Sequence, residues 1–258
     1  MHRFHVAPGA AGGPVVTLPE PEAHHAARVL RLQPGDRVTV LDGAGQQLDC
    51  EVHTVTKHVV TLTVRKRVHV PPLPYQLTLL AAVPKGRLME DIVEKATELG
   101  AARIVPVLTE RTVVHLEGDG AAAKVAKWRH TAVEAIKQCG SAWLPRVEPP
   151  VTLAHFLEGG ESFDLMLVAS LHGGARPPRE LIRQSMAAQG RSPTSVAVWI
   201  GPEGDFTPAE LAALAAAGAK SMTLGPLVLR CATAAIAALA VVGCELQGPW
   251  ELASSAAR

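Results

Sequence analysis

The sequence predicts an α/β protein in two domains, a small β-barrel over residues 1–72 and a larger domain with a mainly parallel sheet over residues 73–258. Three observations carry this. Leu48 to Val55 and Val59 to Val68 alternate apolar and polar side chains, as the strands of a half-buried hairpin do. Val70-Pro71-Pro72-Leu73-Pro74 is a stiff proline run, a natural domain boundary. Beyond it, short apolar strands alternate with helical segments, the pattern of a parallel sheet.

Within the first domain, Pro21 to Leu32 reads as a helix and Val38 to Leu41 as a strand. Asp42-Gly43-Ala44-Gly45 is the turn into the hairpin. In the second domain the strands are Gln76 to Val83, Ile104 to Leu108, Leu165 to Ala169, Val196 to Ile200 and Ser221 to Leu224. The helices are Leu88 to Leu99, Ala122 to Cys139, Pro178 to Gln189, Thr207 to Ala217 and Cys231 to Leu246; Gly100, Gly140 and Gly218 act as stops. Thr207 reads as an N-cap, with Pro208 at the first helical position and Glu210 completing a capping box. The loop from Gly201 to Phe206 therefore joins a buried strand to a helix N-terminus, the place where α/β proteins bind ligands. Its plainer reading is a tight turn with two glycines.

Composition narrows the function. With 48% hydrophobic and 19% charged residues the chain is globular. The longest apolar run, Ala234 to Val242, falls far short of the ~20 residues that cross a bilayer. No leader-like apolar segment follows Met1, so a soluble, cytoplasmic protein without membrane contact is expected. Cys50, Cys139, Cys231 and Cys244 form no CxxC and no metal-type cluster, which argues for reduced thiols and no metal. Residues 1–72 carry 8 Lys+Arg against 6 Asp+Glu and 7 of the 11 histidines, whereas residues 151–258 carry 7 against 9. That asymmetry hints at an anionic partner on the N-terminal side.

The loops exclude several chemistries. There is no GxxxxGK[ST], no GxGxxG after a strand and no GxSxG elbow. His172-Gly173-Gly174 reads as a chain turn rather than an oxyanion loop. What remains is three loops after three late strands, from Ala169 to His172, from Ile200 to Gly204, and from Leu224 to Arg230. They are apolar, with free backbone donors and acceptors. They suit a flat heterocycle read by main-chain groups and lack the concentrated positive charge a triphosphate needs.

Lys85 to Val114 (KGRLMEDIVEKATELGAARIVPVLTERTVV), Lys127 to Gly140 (KWRHTAVEAIKQCG), Val198 to Leu211 (VWIGPEGDFTPAEL) and Leu224 to Arg230 (LGPLVLR) carry a resemblance. With the N-terminal HRFHV and the stretch from His24 to Gly45, they resemble the RsmE family of ribosomal RNA uridine-N3 methyltransferases, in the SPOUT superfamily. The likeness covers essentially the whole chain, in order. It implies a PUA-like β-barrel followed by a SPOUT α/β domain with a trefoil knot. It also implies S-adenosyl-L-methionine bound by the knot loops, a homodimer, and methylation of a uridine in 16S ribosomal RNA of the small ribosomal subunit. Four positions depart from the family pattern. Ala232 replaces a glutamate, Lys137 a glutamate, Ser141 an arginine, and Asp205 a glycine. These departures motivate the alternative of a divergent paralogue acting as an RNA-binding or ribosome-assembly protein.

On this reading the cofactor-binding residues are Ala169, Ser170, Leu171, Ile200, Gly201, Gly204, Leu224, Gly225, Leu227 and Leu229. The catalytic candidates are Arg230 and Glu203. Arg230 either stabilises the uridine as it loses its N3 proton or is a surface arginine at a helix start. Glu203 either orients cofactor or closes the loop; with Ala232 lacking a carboxylate, Glu203 or Asp205 is a substitute acid/base. Arg3, His24, His25, Arg28, Arg31, Lys85 and Arg87 are candidate RNA contacts. His24, Arg28 and Arg31 fall at i, i+4 and i+7 of one helix face, which is otherwise simply solvated. Lys85 and Arg87 follow a strand end at the same edge as the three loops.

Overall fold

A computed structural model describes residues 1–113, 118–171 and 174–247. The chain divides into two compact units, Met1–Pro72 with His130–Pro145, and Leu73–Arg129 with the chain from Arg146 onward.

The first unit holds β1 (His2–His5), β2 (Val15–Thr17), the short helix α1 (Glu20–His24), β3 (Arg37–Leu41), β4 (Gln46–Val55) and β5 (Val60–His69). The strands form one sheet in the order β1-β3-β4-β5-β2. β1 runs parallel to β3, and the remaining pairs are antiparallel. The expected barrel does not emerge from this pairing. Among the described residues the path stays open, with the four-residue β1 and three-residue β2 at its edges. Register shifts after Asp49 and after Val52 bend the long hairpin. Phe4, Val16, Val38, Val40, Leu48, Val52, Val60 and Leu62 fill the core beneath the sheet. β1 eluded the alternation test because only Phe4 of its four residues is buried.

The helix expected from Pro21 to Leu32 is interrupted. α1 ends at His24 and a π-helical turn, His25–Val29, follows. Leu30 donates to His25 O at 3.0 Å and Leu32 to Ala26 O at 3.0 Å, while Arg31 takes a left-handed φ of 54°. The i, i+4, i+7 register of a regular helix therefore does not carry through to Arg31.

The second unit is a seven-stranded sheet built from β6 (Gln76–Ala82), β7 (Ala101–Leu108), β8 (Arg146–Val147), β9 (Val151–Thr152), β10 (Leu165–Ala169), β11 (Ser195–Ile200) and β12 (Lys220–Met222). Its helices are α2 (Leu88–Glu98), the first part of α3 (Gly118–Cys139), whose residues from His130 on belong to the first unit, α4 (Leu153–Glu158), α5 (Pro178–Gln189), α6 (Pro208–Ala216) and α7 (Cys231–Gln247). The order is β12-β10-β11-β6-β7-β8, with β9 on β7, and every pairing is parallel, as the strand-helix alternation predicts. One face packs Leu80, Val107, Met166, Val168, Phe206 and Leu214 around Trp199. Phe156 meets the Trp199 ring edge-on at 5.3 Å. α7 packs against β6 and α2, burying Ala235, Ala238, Leu239 and Val242. No helix among the described residues is long and apolar enough to cross a membrane.

Candidate functional site

In this sheet β10 lies between β11 and β12, so the loops after all three open on the same carboxyl edge. Ser170 N donates to Met222 O at 3.0 Å, stitching the loop after β10 to the end of β12. Between the loops is a cavity of about 280 Å³. Nine of the ten expected cofactor residues line it: Ala169, Ser170, Leu171, Ile200, Gly201, Leu224, Gly225, Leu227 and Leu229. Arg230, Glu203 and Asp205 line it too. Gly204 does not; its carbonyl accepts from the Arg111 guanidinium, and a Cβ on it would meet Arg111 Cδ at 3.2 Å. The structure adds Pro202, Val228, Cys231 and Ala234 to the lining. Cys231 and Ala234 are one helical turn apart at the start of α7, a spacing visible in the sequence once that helix is seen to begin at the cavity. His172, in the loop after β10, lies outside the described residues.

Two glycines shape this cavity differently. A Cβ on Gly201 would lie 3.1 Å from Asp205 Oδ1 and 3.2 Å from Phe206 Cδ2, so that position needs the absence of a side chain. Gly225 has open space around it but a φ of 117°, so there the backbone conformation requires glycine.

The charged groups are held from several elements. Lys85 N, in the loop after β6, donates to Glu203 Oε1 at 3.2 Å. Because β6 adjoins β11, Lys85 and Arg87 sit at the same sheet edge as the cavity, both exposed. Glu210 is buried; its Oε2 accepts from Thr207 N at 2.8 Å and its Oε1 from Glu110 N at 2.9 Å. The capping box thus also ties the loop after β11 to the turn after β7. Burial pushes the Cys231 thiol up to about 11, and the negative charges of Glu203 and then Asp205 push the same way.

The remaining candidates belong to the first unit. Arg3 donates through one guanidinium nitrogen to Lys137 O at 3.1 Å and Gln138 O at 2.9 Å, closing the C-terminus of α3. His25 is half-buried and meets Phe4 edge-on at 6.4 Å. His24, Arg28 and Arg31 are exposed. His24 and Arg28 share a concavity with Glu20 and with Lys57 and His58 of the β4–β5 turn. Arg28 and Arg31 line a second concavity with Gln33 and Val55.

Lys137 and Ser141 are both held by local partners. Lys137, with a side chain 9% exposed, pairs with Glu22 and Glu134, both at 2.8 Å. Its burial acts to lower the pKa, but the two carboxylates outweigh this and hold it above the usual lysine value. Ser141 Oγ accepts from Trp143 N at 3.1 Å and donates to Trp143 O at 2.9 Å, fixing the turn after α3. No group of three or more His, Cys, Asp or Glu able to hold a metal occurs among the described residues.

The chain thus comprises a parallel α/β unit with a cavity at the carboxyl edge of its sheet and a five-stranded unit. The family described as an RNA methyltransferase domain matches residues 71–243, and the RNA methyltransferase PUA domain matches residues 18–64. The chain belongs to this RNA methyltransferase family, within the group named ribosomal RNA small subunit methyltransferase E. The protein of that name from Synechocystis sp. is 33% identical over 253 residues, covering 95% of this chain and 78% of the relative. Its counterpart from Mycobacterium bovis is 34% identical over 247 residues, covering 94% and 91%. Among solved structures, a methyltransferase from Legionella pneumophila in complex with the cofactor SAM superposes with a TM-score of 0.85 at 29% identity, covering 94% of this chain and 96% of that one. Ribosomal RNA small subunit methyltransferase E from Neisseria gonorrhoeae, bound to S-adenosyl methionine, gives 0.81 at 26% identity, covering 93% and 95%.

Proposed function

We propose that this protein methylates N3 of a uridine in small-subunit ribosomal RNA, using S-adenosylmethionine bound in the cavity between the loops after β10, β11 and β12. The observation that carries the reading is that cavity, lined by backbone-rich apolar loops with Arg230 and Glu203 among them. The residues fit the cofactor: Leu171, Ile200, Leu224, Leu227 and Leu229 offer apolar faces to an adenine, and the loop backbone offers its polar edge donors and acceptors. The cofactor supplies an electrophilic methyl group. Arg230 stabilises the negative charge that develops when the N3 proton leaves, and Glu203 is a carboxylate at the same site that can accept it.

His24, Arg28 and Arg31, with Lys85 and Arg87, contact RNA phosphates. His25 and Arg3 belong to this set more weakly, because one packs on Phe4 and the other already serves α3. The catalytic domain carries the trefoil knot of its superfamily. The protein works in the cytoplasm as a homodimer. Support for the dimer comes from α7, where Ala240, Val241 and Cys244 stay exposed beside the buried face.

Mass spectrometry of ribosomal RNA from a deletion strain tests the reading. Loss of one N3-methyluridine, restored by the wild-type gene, is the expected result. A protein that binds cofactor but leaves ribosomal RNA unchanged would instead support a non-catalytic RNA-binding role.

A further inference from the structure

We infer that the turn between β4 and β5 completes a phosphate-binding concavity in the first unit, where Lys57 and His58 join His24 and Arg28 to hold the sugar-phosphate backbone of RNA without reading its bases. The inference deepens the RNA contacts proposed above and rests on that reading. It adds residues from a second element, and it states which part of the RNA is held there.

The concavity is lined by Glu20 and His24 of α1, Arg28 of the π-turn, and Lys57 and His58 of the hairpin turn. All five residues are exposed. Among the described residues, none of their side chains has a hydrogen-bond or ion-pair partner. Other cations of the same unit do have one. Arg3 and Arg67 donate to backbone carbonyls, and Arg65 and Lys137 pair with carboxylates. Arg28 and Lys57 thus offer their charge to solvent from two facing walls.

The two walls are built differently. Thr56 N and Thr56 Oγ1 both donate to Val59 O, at 2.9 and 3.0 Å, and Oγ1 accepts from Val59 N at 2.9 Å. These bonds close the turn on Lys57 and His58, so both side chains leave a fixed backbone. On the other wall, Arg28 sits on the π-turn His25–Val29. It also lines the adjoining concavity with Arg31 and Gln33. The cationic surface therefore runs from Lys57 through Arg28 to Arg31, long enough for more than one phosphate.

The chemistry selects phosphate over bases. Ammonium and guanidinium groups are the usual partners of phosphate oxygens, and an imidazole ring always keeps at least one N–H to donate. Among the described residues neither concavity is lined by Phe, Tyr or Trp, so neither offers those rings for a base to stack on. Glu20 is the one acidic residue among those lining the two, and its carboxylate opposes an anion. The match to the RNA methyltransferase PUA domain spans residues 18–64, which takes in every residue of the concavity and makes RNA the anion.

The test measures binding of the full-length protein to a small-subunit ribosomal RNA fragment and to an unrelated RNA of equal length, across a salt series. Lys57→Gln should weaken both RNAs by about three- to tenfold at low salt. It should also reduce the slope of log K against log salt by about 0.7–0.9, the loss of one phosphate contact. Glu20→Gln should tighten both RNAs, a change of opposite sign that damage to the fold would not produce. S-adenosylmethionine affinity and Tm should stay at wild-type values in both variants. Wild-type affinity and slope in Lys57→Gln would overturn the site while leaving the methylation reading intact. Weakening of the ribosomal fragment alone would show a base contact and overturn the backbone assignment. A wild-type protein that binds neither RNA and leaves ribosomal RNA unmethylated would overturn the proposed function and this inference with it.

Discussion

Arg230 is the last residue before α7 and the one cation lining the cavity among the described residues. N3 of uridine is protonated at neutral pH, so methylation at N3 requires a group that stabilises the anion. Ala232, two residues on, contributes no charge. Replacing one preorganised donor costs ~10²–10³ in rate in comparable sites, so Arg230→Ala should lower turnover on ribosomal RNA by about that factor and change cofactor affinity much less. Arg230→Lys should recover little, because an ammonium lacks the planar fork. Single-turnover assays with calorimetry separate the two effects; equal rates for wild type and Arg230→Ala would make the residue structural. The glycines divide in the same way. Gly201→Val forces a branched side chain onto Asp205 and Phe206, and Gly225→Val imposes a strained φ in open space. Both should abolish or strongly weaken S-adenosylmethionine binding in calorimetry while the far-UV circular dichroism stays close to wild type. Normal binding by both would reduce them to turn residues. That Gly201 and Gly225 lie in loops after apolar strands was legible in the sequence. That one is needed for space and the other for φ was not, because both properties depend on the folded backbone.

At the level of elements, local signals were readable and distant ones were not. The capping box at α6 was evident because Thr207 and Glu210 are three residues apart, and both of its hydrogen bonds form. The second use of Glu210, accepting from Glu110 N across 100 residues of sequence, has no local signature. Strands and helices of the second unit fall within a few residues of their expected spans, since each carries its own apolar period. β8 and β9 have two residues each and leave no period to read. The π-turn after α1 was missed for the opposite reason: its residues are good helix formers, and the extra residue per turn shows only in the Leu30-to-His25 bond. Glu210→Ala removes the cap and leaves Glu110 N without its partner in a part-buried setting. A loss of ~1–3 kcal/mol is expected for such a group, which lowers Tm by roughly 3–8 °C for a domain of this size. Because the same residue anchors the loop bearing Glu203 and Asp205, cofactor affinity should fall as well. Differential scanning calorimetry and titration of the same sample check both; a stable variant with unchanged affinity would show that the bridge to Glu110 contributes nothing to the site.

Across the whole molecule, the boundary at Pro72 marks where the first segment ends, but that unit also takes in residues 130–145. The proline run gave the cut; the return of the chain could not be read, because it depends on Arg3, Glu22 and Val70 meeting residues more than seventy positions away. The second unit has a comparable long-range tie in Asp164, just before β10. Its carboxylate accepts from Arg191 at 2.6 and 2.8 Å, from Thr194 N at 2.7 Å and Oγ1 at 2.9 Å, and from Ser195 N at 3.2 Å. These donors fix the start of β11 beside the start of β10. The Arg191 guanidinium, then the Thr194 amide, hold the acid well below the usual carboxylate range. A folded-state pKa below the unfolded value of ~3.9 means the stabilisation is complete above that pH and is lost as pH falls toward the folded value. Lys137 is shifted upward, so its contribution is complete below the unfolded lysine value of ~10.4 and fades only in alkali. Between about pH 5 and 9 neither group should change the melting temperature. Asp164→Asn should therefore lower Tm by a few degrees at pH 7, with the gap from wild type constant down to about pH 5 and closing as pH drops below ~4. Melting curves of both proteins from pH 8 to pH 2.5 measure that gap. A gap that stays constant through pH 3 would mean the charge on Asp164 does not stabilise the fold and that hydrogen bonding of the neutral side chain suffices.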